Sequence, residues 1–231
     1  MSKIIIAIDG PAASGKSTAA KFLAEKLGFT YLDTGAMYRA ITYLAIEKDI
    51  TDNQNAVIDL VRNLKINLRF ENGITKVFID GKEVTDFIRS KDVNASVSKI
   101  SKIPEVRSEL VKIQQKIANN GSIVAEGRDT TTVVFPNADV KIYLTAKEDV
   151  RANRRLNEYL QDNIEISFEE VKNNLHERDK IDSSREVSPL TKSKEAIELD
   201  TTGISVEEEL EKILEIIDKV VKEKKNYHQV N

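Results

Sequence analysis

The sequence predicts an α/β protein: a doubly wound, five-stranded parallel sheet with helices on both faces, carrying a small three-stranded antiparallel insert. Three observations predict it. Five short apolar runs, "KIIIAID", "FTYLDT", "SIVAE", "DVKIYLT" and "AIELDT", read as strands, and the first is apolar almost throughout, as a strand covered on both faces must be. Segments of helical periodicity separate them. One stretch, "LKINLRFENGITKVFIDGKEV" (64–84), alternates at period two instead, with Asn72-Gly73 and Asp80-Gly81 as hairpin turns.

After the first strand (3–9), a helix is expected from Lys16 to Leu27, stopped by Gly28. "FTYLDT" gives a short second strand, followed by helical sequence and the antiparallel insert. Pro104 opens a helix with Val106, Leu110, Ile113 and Ile117 on one face, ended by "NNG". The strands "SIVAE" (122–126) and "DVKIYLT" (139–145) follow. Thr145 and Glu148 then mark the start of a helix bearing Arg151, Arg154 and Arg155. Ser167 and Glu170 form a capping box for the next helix. Its apolar stripe, Val171 and Leu175, continues at helical spacing as Arg178, Asp182 and Arg185. Unpaired charge turned toward a core is costly, so that stripe must face something other than core. After the strand "AIELDT" (196–201), a last helix starts at Ser205 with Glu208 as its capping partner and turns Val206, Leu210, Ile213, Ile217 and Val220 inward. "KEKKNYHQVN" is expected to fray.

Composition excludes several classes. A net charge of −3, from 35 basic and 38 acidic residues, argues against nucleic acid or an anionic membrane as partner. The absence of cysteine excludes disulfides, thiolate metal sites and a cysteine nucleophile. The two histidines, His176 and His228, lie in polar surroundings and cannot build a histidine cage. The apolar run "IIIAI" is too short for a signal or membrane segment, so the expectation is a cytoplasmic protein.

"GPAASGKS", Gly10, Pro11, Ala12, Ala13, Ser14, Gly15, Lys16 and Ser17, fits G-x-x-x-x-G-K-[ST] between a buried strand and a helix, and Thr18 follows inside that helix. Backbone N–H groups of such a loop cradle phosphates at a helix N-terminus. Lys16 reaches the β and γ phosphates, and the Ser17 hydroxyl ligates Mg²⁺. The bland alternative, a glycine-rich turn with an exposed lysine, does not require the whole pattern. The loop binds a nucleoside triphosphate and leaves three classes open. A switch GTPase needs an N-K-x-D motif, and none is present. A mechanical ATPase or regulatory module needs an acidic pair after a strand, and "SIVAE" ends in the single Glu126. A small-molecule kinase needs a second cationic pocket and an arginine-bearing lid.

Arginines supply that pocket. Arg39 follows strand two in "DTGAMYR", Arg107 sits in "PEVR", and Arg128 follows "SIVAE" in "EGRD", where open α/β sheets bind ligands. Alone, each is an ordinary surface arginine; their shared placement gives them weight. On "IDGPAASGKST", "YLDTGAMYRA", the hairpin insert, "EGRDTTTVVFPNADVKIYLTA" and "ERDKIDSSREVSPL", the chain resembles the bacterial-type cytidylate kinases of the nucleoside monophosphate kinase group.

The resemblance implies one P-loop kinase domain over 1–231, with an acceptor-binding insert at 63–103 and a helical, arginine-bearing lid at 148–167. It implies that ATP and Mg²⁺ serve the transfer of phosphate to CMP and dCMP by a monomer. Arg39, Arg128 and Arg185 would grip the acceptor phosphate, beside Thr34 and Tyr38. Ser98, Arg107 and Asp129 would read cytosine, and Arg178 and Asp182 would hold the sugar. Asp33 and Glu126 would organise Mg²⁺ through water; Lys16 and the lid arginines Arg151, Arg154 and Arg155 would neutralise the transferring charge. Alternatives are a UMP/CMP or other nucleoside monophosphate kinase, or a nucleotide-binding regulatory module without catalysis. Two departures stand out: Thr130-Thr131 where the family usually has a small apolar residue and glycine, and Glu126 where aspartate is commoner.

Overall fold

The computed structural model describes residues 3–71, 73–161 and 163–230, with side chains to Lys222. Strands β1 (Ile5–Asp9), β2 (Thr30–Asp33), β6 (Ile123–Gly127), β7 (Val140–Thr145) and β8 (Ile197–Asp200) form one parallel sheet in the order β2-β6-β1-β7-β8. β1 therefore lies between β6 and β7, and the chain winds outward from it in both directions. That arrangement opens a crevice at the strands' carboxyl ends.

Alternation along each strand sorts side chains to two cores. Ile6 and Ile8 meet Leu23 of α1 (Lys16–Leu27) and Ile213 of α8 (Val206–Val230), all fully buried. Ala7 faces the opposite way, toward Met37 and Ile41 of α2 (Thr34–Glu47) and Val106 and Leu110 of α5 (Pro104–Ala118). Each large aliphatic chain buried in this way contributes about 2 kcal/mol. Helix α3 (Gln54–Asn63) adds Val57 and Val61 to the second core.

The insert is built as its alternation predicts. β3 (Ile66–Glu71), β4 (Ile74–Ile79) and β5 (Lys82–Glu83) pair antiparallel, and helix α4 (Lys91–Ile100) follows. Asp80 and Gly81 both take positive φ at the second turn, whereas Asn72 of the first turn lies outside the described residues. Phe70 of β3 packs edge-on to Tyr31 of β2, with ring centres 5.0 Å apart, and so fixes the insert to the sheet. Helices α6 (Glu148–Gln161) and α7 (Phe168–Ser183) pack together beyond β7.

Three expectations need correction. The Ser167–Glu170 capping box is present, but α7 ends at Ser183, so Arg185 reaches the inward side from the following loop. Arg185 donates back to the Asp182 backbone oxygen at 3.3 Å, which holds the turn. Val206 is 49 % exposed, because the first turn of α8 precedes its contact with the sheet; Glu209 turns inward there instead. Helix α8 continues to Val230, through most of the segment expected to fray; the side chains of 223–230, His228 included, lie outside the described residues. No described helix is long and apolar enough to cross a membrane.

Candidate active site

The phosphate loop joins β1 to α1 at the sheet's carboxyl edge. Gly10 is required by close approach: a Cβ there would sit 2.1 Å from the Leu144 carbonyl oxygen of β7. Ala13 and Gly15 take left-handed conformations, φ 57° and 96°, within the run of turns that makes an anion nest. One amide is already engaged, since Ala12 N–H donates to Asp179 Oδ1 at 3.1 Å. Lys16 is buried and donates to the Pro11 carbonyl at 2.7 Å. Burial, joined by the positive charge of Arg128, pushes the Lys16 ammonium down to about 7. Its charge is thus poorly satisfied until anionic phosphate enters.

Ser17 donates its hydroxyl to Glu126 Oε1 at 2.7 Å, and Tyr31 donates to the same oxygen at 3.2 Å. Glu126 and Asp33 are register partners on β6 and β2. Among the described residues no group of three or more histidine, cysteine or acidic side chains could cage a metal. The Ser17–Glu126 pair still suits Mg²⁺, a hard ion that takes oxygen ligands and usually keeps waters and substrate phosphates around it.

Across the cleft, charge is paired by carboxylates. Asp33 caps α2 through the Ala36 N–H at 2.8 Å and accepts from Arg39 Nη2 at 2.8 Å and Arg89 Nη2 at 3.4 Å. Burial alone would raise the Asp33 carboxyl; the two arginines and the amide outweigh it and hold it low. Gly35 leaves room for this, as a Cβ would lie 3.0 Å from Arg39 Nη1. Thr34 donates to the Glu126 carbonyl at 2.7 Å. Arg107 bridges Asp129, at 2.5 Å, and the Ser101 carbonyl, at 3.0 Å, with its guanidinium 5.1 Å from the Tyr38 ring centre. Asp182 takes Arg128 Nε on one oxygen, at 2.8 Å, and Arg185 Nη2 on the other, at 2.6 Å.

Arg178 is the exception. It makes no side-chain hydrogen bond or ion pair among the described residues, and its Nε is buried without a partner. Burial, with Arg128 and Arg155 nearby, lowers it to about 10. Arg39 Nε, Arg107 Nε and the Tyr38 hydroxyl are likewise buried and unpartnered. All four groups line one cleft of about 660 Å³ that also holds Lys16, Ser17, Ser98 and Asp129. Buried donors left unused are costly, so a cluster of them marks where a ligand supplies acceptors.

The lid arginines separate. Only Arg155 lines the cleft. Arg151 is buried and spent on the Ala146 and Ala12 carbonyls and on Asp179. Arg154 binds the hydroxyl and carbonyl of Thr201, each at 3.0 Å. Both lie outside the cleft, where their hydrogen bonds tie α6 to the phosphate loop and to the end of β8. Sequence reasoning also missed Arg89 and Asp179. Asp179 sits four residues after Leu175 in α7, a spacing that could have placed it on the inward side; nothing in the sequence marks Arg89. Glu209 was missed as well. Its carboxylate lies against Gly15 without a partner for Oε1, and burial raises its pKa.

Comparison with known proteins gives a consistent picture. Residues 6–219 match the cytidylate kinase family. The chain is 48 % identical to a cytidylate kinase of Enterococcus faecalis, over 97 % of this chain and 98 % of that one. It is 47 % identical to that of Fusobacterium nucleatum, over 95 % of this chain and all of the other. A crystal structure of an uncharacterized protein from Eubacterium ventriosum superposes with a TM-score of 0.53 at 15 % identity, covering 94 % and 99 % of the two chains, which is a likeness of fold alone.

Proposed function

We infer the reaction from one premise: the chain belongs to the cytidylate kinase family. It transfers phosphate from ATP to CMP and dCMP, giving CDP and dCDP. The observation that carries this reading is the four unpartnered donors, Arg39 Nε, Arg107 Nε, Arg178 Nε and the Tyr38 hydroxyl, around the cleft that Lys16 enters from the other side.

That placement supports the residue roles proposed next. ATP lays its phosphates in the loop Gly10–Thr18, with Lys16 on the transferring group. Arg39, Arg128 and Arg185 hold the CMP phosphate, and Arg178 and Asp182 the sugar. An oxygen of that phosphate attacks the γ-phosphorus in line, and the bond to the ADP oxygen breaks; positioning and charge neutralisation supply the catalysis. Ser17, with Glu126 and Asp33 beside it, would hold Mg²⁺, which would supply positive charge where the phosphates crowd. Arg155 on α6 closes over the transferring group, and residues 148–167 act as the lid that excludes water. Arg107 and Asp129 face cytosine with Ser98 beside them. The reading is of a monomer, and a cytoplasmic location matches its substrates.

A coupled ADP-release assay with CMP, dCMP, UMP and AMP tests this. Turnover should be highest with CMP and dCMP. Equal turnover of UMP would contradict the cytosine-reading assignment, and no turnover of any acceptor would contradict the kinase.

A further inference from the structure

The two threonines that depart from the family pattern have a specific partner. Asp9, the last residue of β1, is wholly buried and makes no ion pair among the described residues. Its carboxylate instead accepts four hydrogen bonds from Thr130 and Thr131. Oδ1 takes the Thr130 N–H at 2.8 Å and hydroxyl at 2.6 Å; Oδ2 takes the Thr131 N–H at 2.7 Å and hydroxyl at 2.6 Å. These residues open a single π-helical turn, Thr130–Val134, directly after Arg128 and Asp129. The first N–H groups of any helical turn lack internal partners, and here a side chain 121 residues away caps them. Rare π turns concentrate at functional sites.

We propose that Asp9, Thr130 and Thr131 form a buried clamp that positions Arg128 and Asp129 against the phosphate loop, and so sets the distance between donor and acceptor. Resting on the kinase reading above, this makes the threonines positioning residues that touch neither substrate. Asp9 and Gly127 are register partners on β1 and β6. The next residues along the two strands are Gly10, which begins the phosphate loop, and Arg128, which holds the acceptor. One carboxylate therefore ties the roots of both sites together. The backbone amides alone would supply two of the four donors; the hydroxyls double that number. In-line transfer tolerates little error, since a displacement of about 1 Å costs on the order of a hundred-fold in rate.

The test is Thr131→Val, which keeps the shape and the N–H and deletes one donor, beside Thr131→Ser, which restores it. Thr131→Ala serves if the valine variant does not fold. Losing one hydrogen bond to a charged group should lower kcat/KM for CMP roughly ten-fold, with KM for ATP unchanged and the serine variant close to wild type. The CMP dissociation constant, read by calorimetry without turnover, should rise in Thr131→Val and rise clearly less when the same substitution is made on Arg128→Ala, because part of the clamp's effect passes through Arg128. A lower Tm with unchanged CMP kinetics, an equal loss in both backgrounds, or a serine variant as impaired as valine would each overturn the proposal. Wild-type enzyme that fails to phosphorylate CMP would instead overturn the kinase reading.

Discussion

The phosphate loop and the acceptor pocket share one edge of one sheet and are built in opposite ways. The loop is contiguous, Gly10–Ser17, and works through backbone: a glycine that grazes the Leu144 carbonyl, two left-handed turns and a single buried lysine. The pocket draws side chains from α2, α4, α5, the β6 end, α7 and the loop after it, and works through charge. Among the described residues Arg39, Arg107, Arg128 and Arg185 have carboxylate partners, while Lys16 has only a carbonyl. The pocket is thus held in shape by its own ion pairs. The loop is held by its backbone and waits for charge from the ligand.

The largest effect should come from breaking the loop's one charge. Lys16→Met should lower kcat by about a hundred-fold or more, with Tm near wild type because the loop packs through its backbone. Steady-state assay and thermal unfolding check both halves.

That contrast also explains what could be read from sequence. The loop was legible whole, because its eight positions are consecutive and the flanking strand and helix have strong periodicities. The sheet and the antiparallel insert were legible for the same local reasons. The family resemblance named many of the residues that line the cleft, but not how they pair: nothing in the sequence says that Asp182 stands between Arg128 and Arg185, or that Asp33 holds Arg39. Which lid arginine faces the cleft was not legible, because adjacency on a helix does not reveal which guanidinium finds a backbone carbonyl, as Arg154 does at Thr201. The partner of the Thr130-Thr131 departure was not legible either, because Asp9 is far away in sequence.

Within the pocket, paired and unpaired arginines should behave differently. Arg185→Ala and Arg178→Ala should each raise KM for CMP about ten-fold, the scale of one charge-assisted hydrogen bond. Arg185→Ala should also lower the unfolding midpoint, because Asp182 loses a buried partner at 2.6 Å. Arg178→Ala should not, because among the described residues no carboxylate forms an ion pair with it, and repulsion from the nearby Arg128 and Arg155 outweighs the pull of Asp182. Equal destabilisation by both would mean that the pocket's ion pairs do not shape it.

A smaller effect sharpens the loop's side of the comparison. With Lys16 lowered to about 7, the empty enzyme is largely uncharged there above neutrality. ATP restores the proton, so binding takes up a proton as pH rises past 7, and affinity falls by up to about ten-fold per unit. Below 7 the lysine is already protonated and contributes no such slope. Calorimetry of ATP binding in two buffers of different ionisation enthalpy, from pH 6 to 9, should show uptake growing toward one proton, and Lys16→Met should lack it.

The pair proposed to read the base tests the central claim most directly. Cytosine offers acceptors at O2 and N3 and a donor at its amino group, which match an all-donor guanidinium and an all-acceptor carboxylate; uracil inverts N3 and position 4. Arg107 and Asp129 are fixed against each other at 2.5 Å, with Arg107 Nε unused. The measurement is kcat/KM for CMP and for UMP at saturating ATP, in wild type and in Arg107→Met. The ratio should narrow by about ten- to a hundred-fold, almost entirely through loss on CMP. An unchanged ratio, with both acceptors impaired alike, would contradict the claim that these charges read the base.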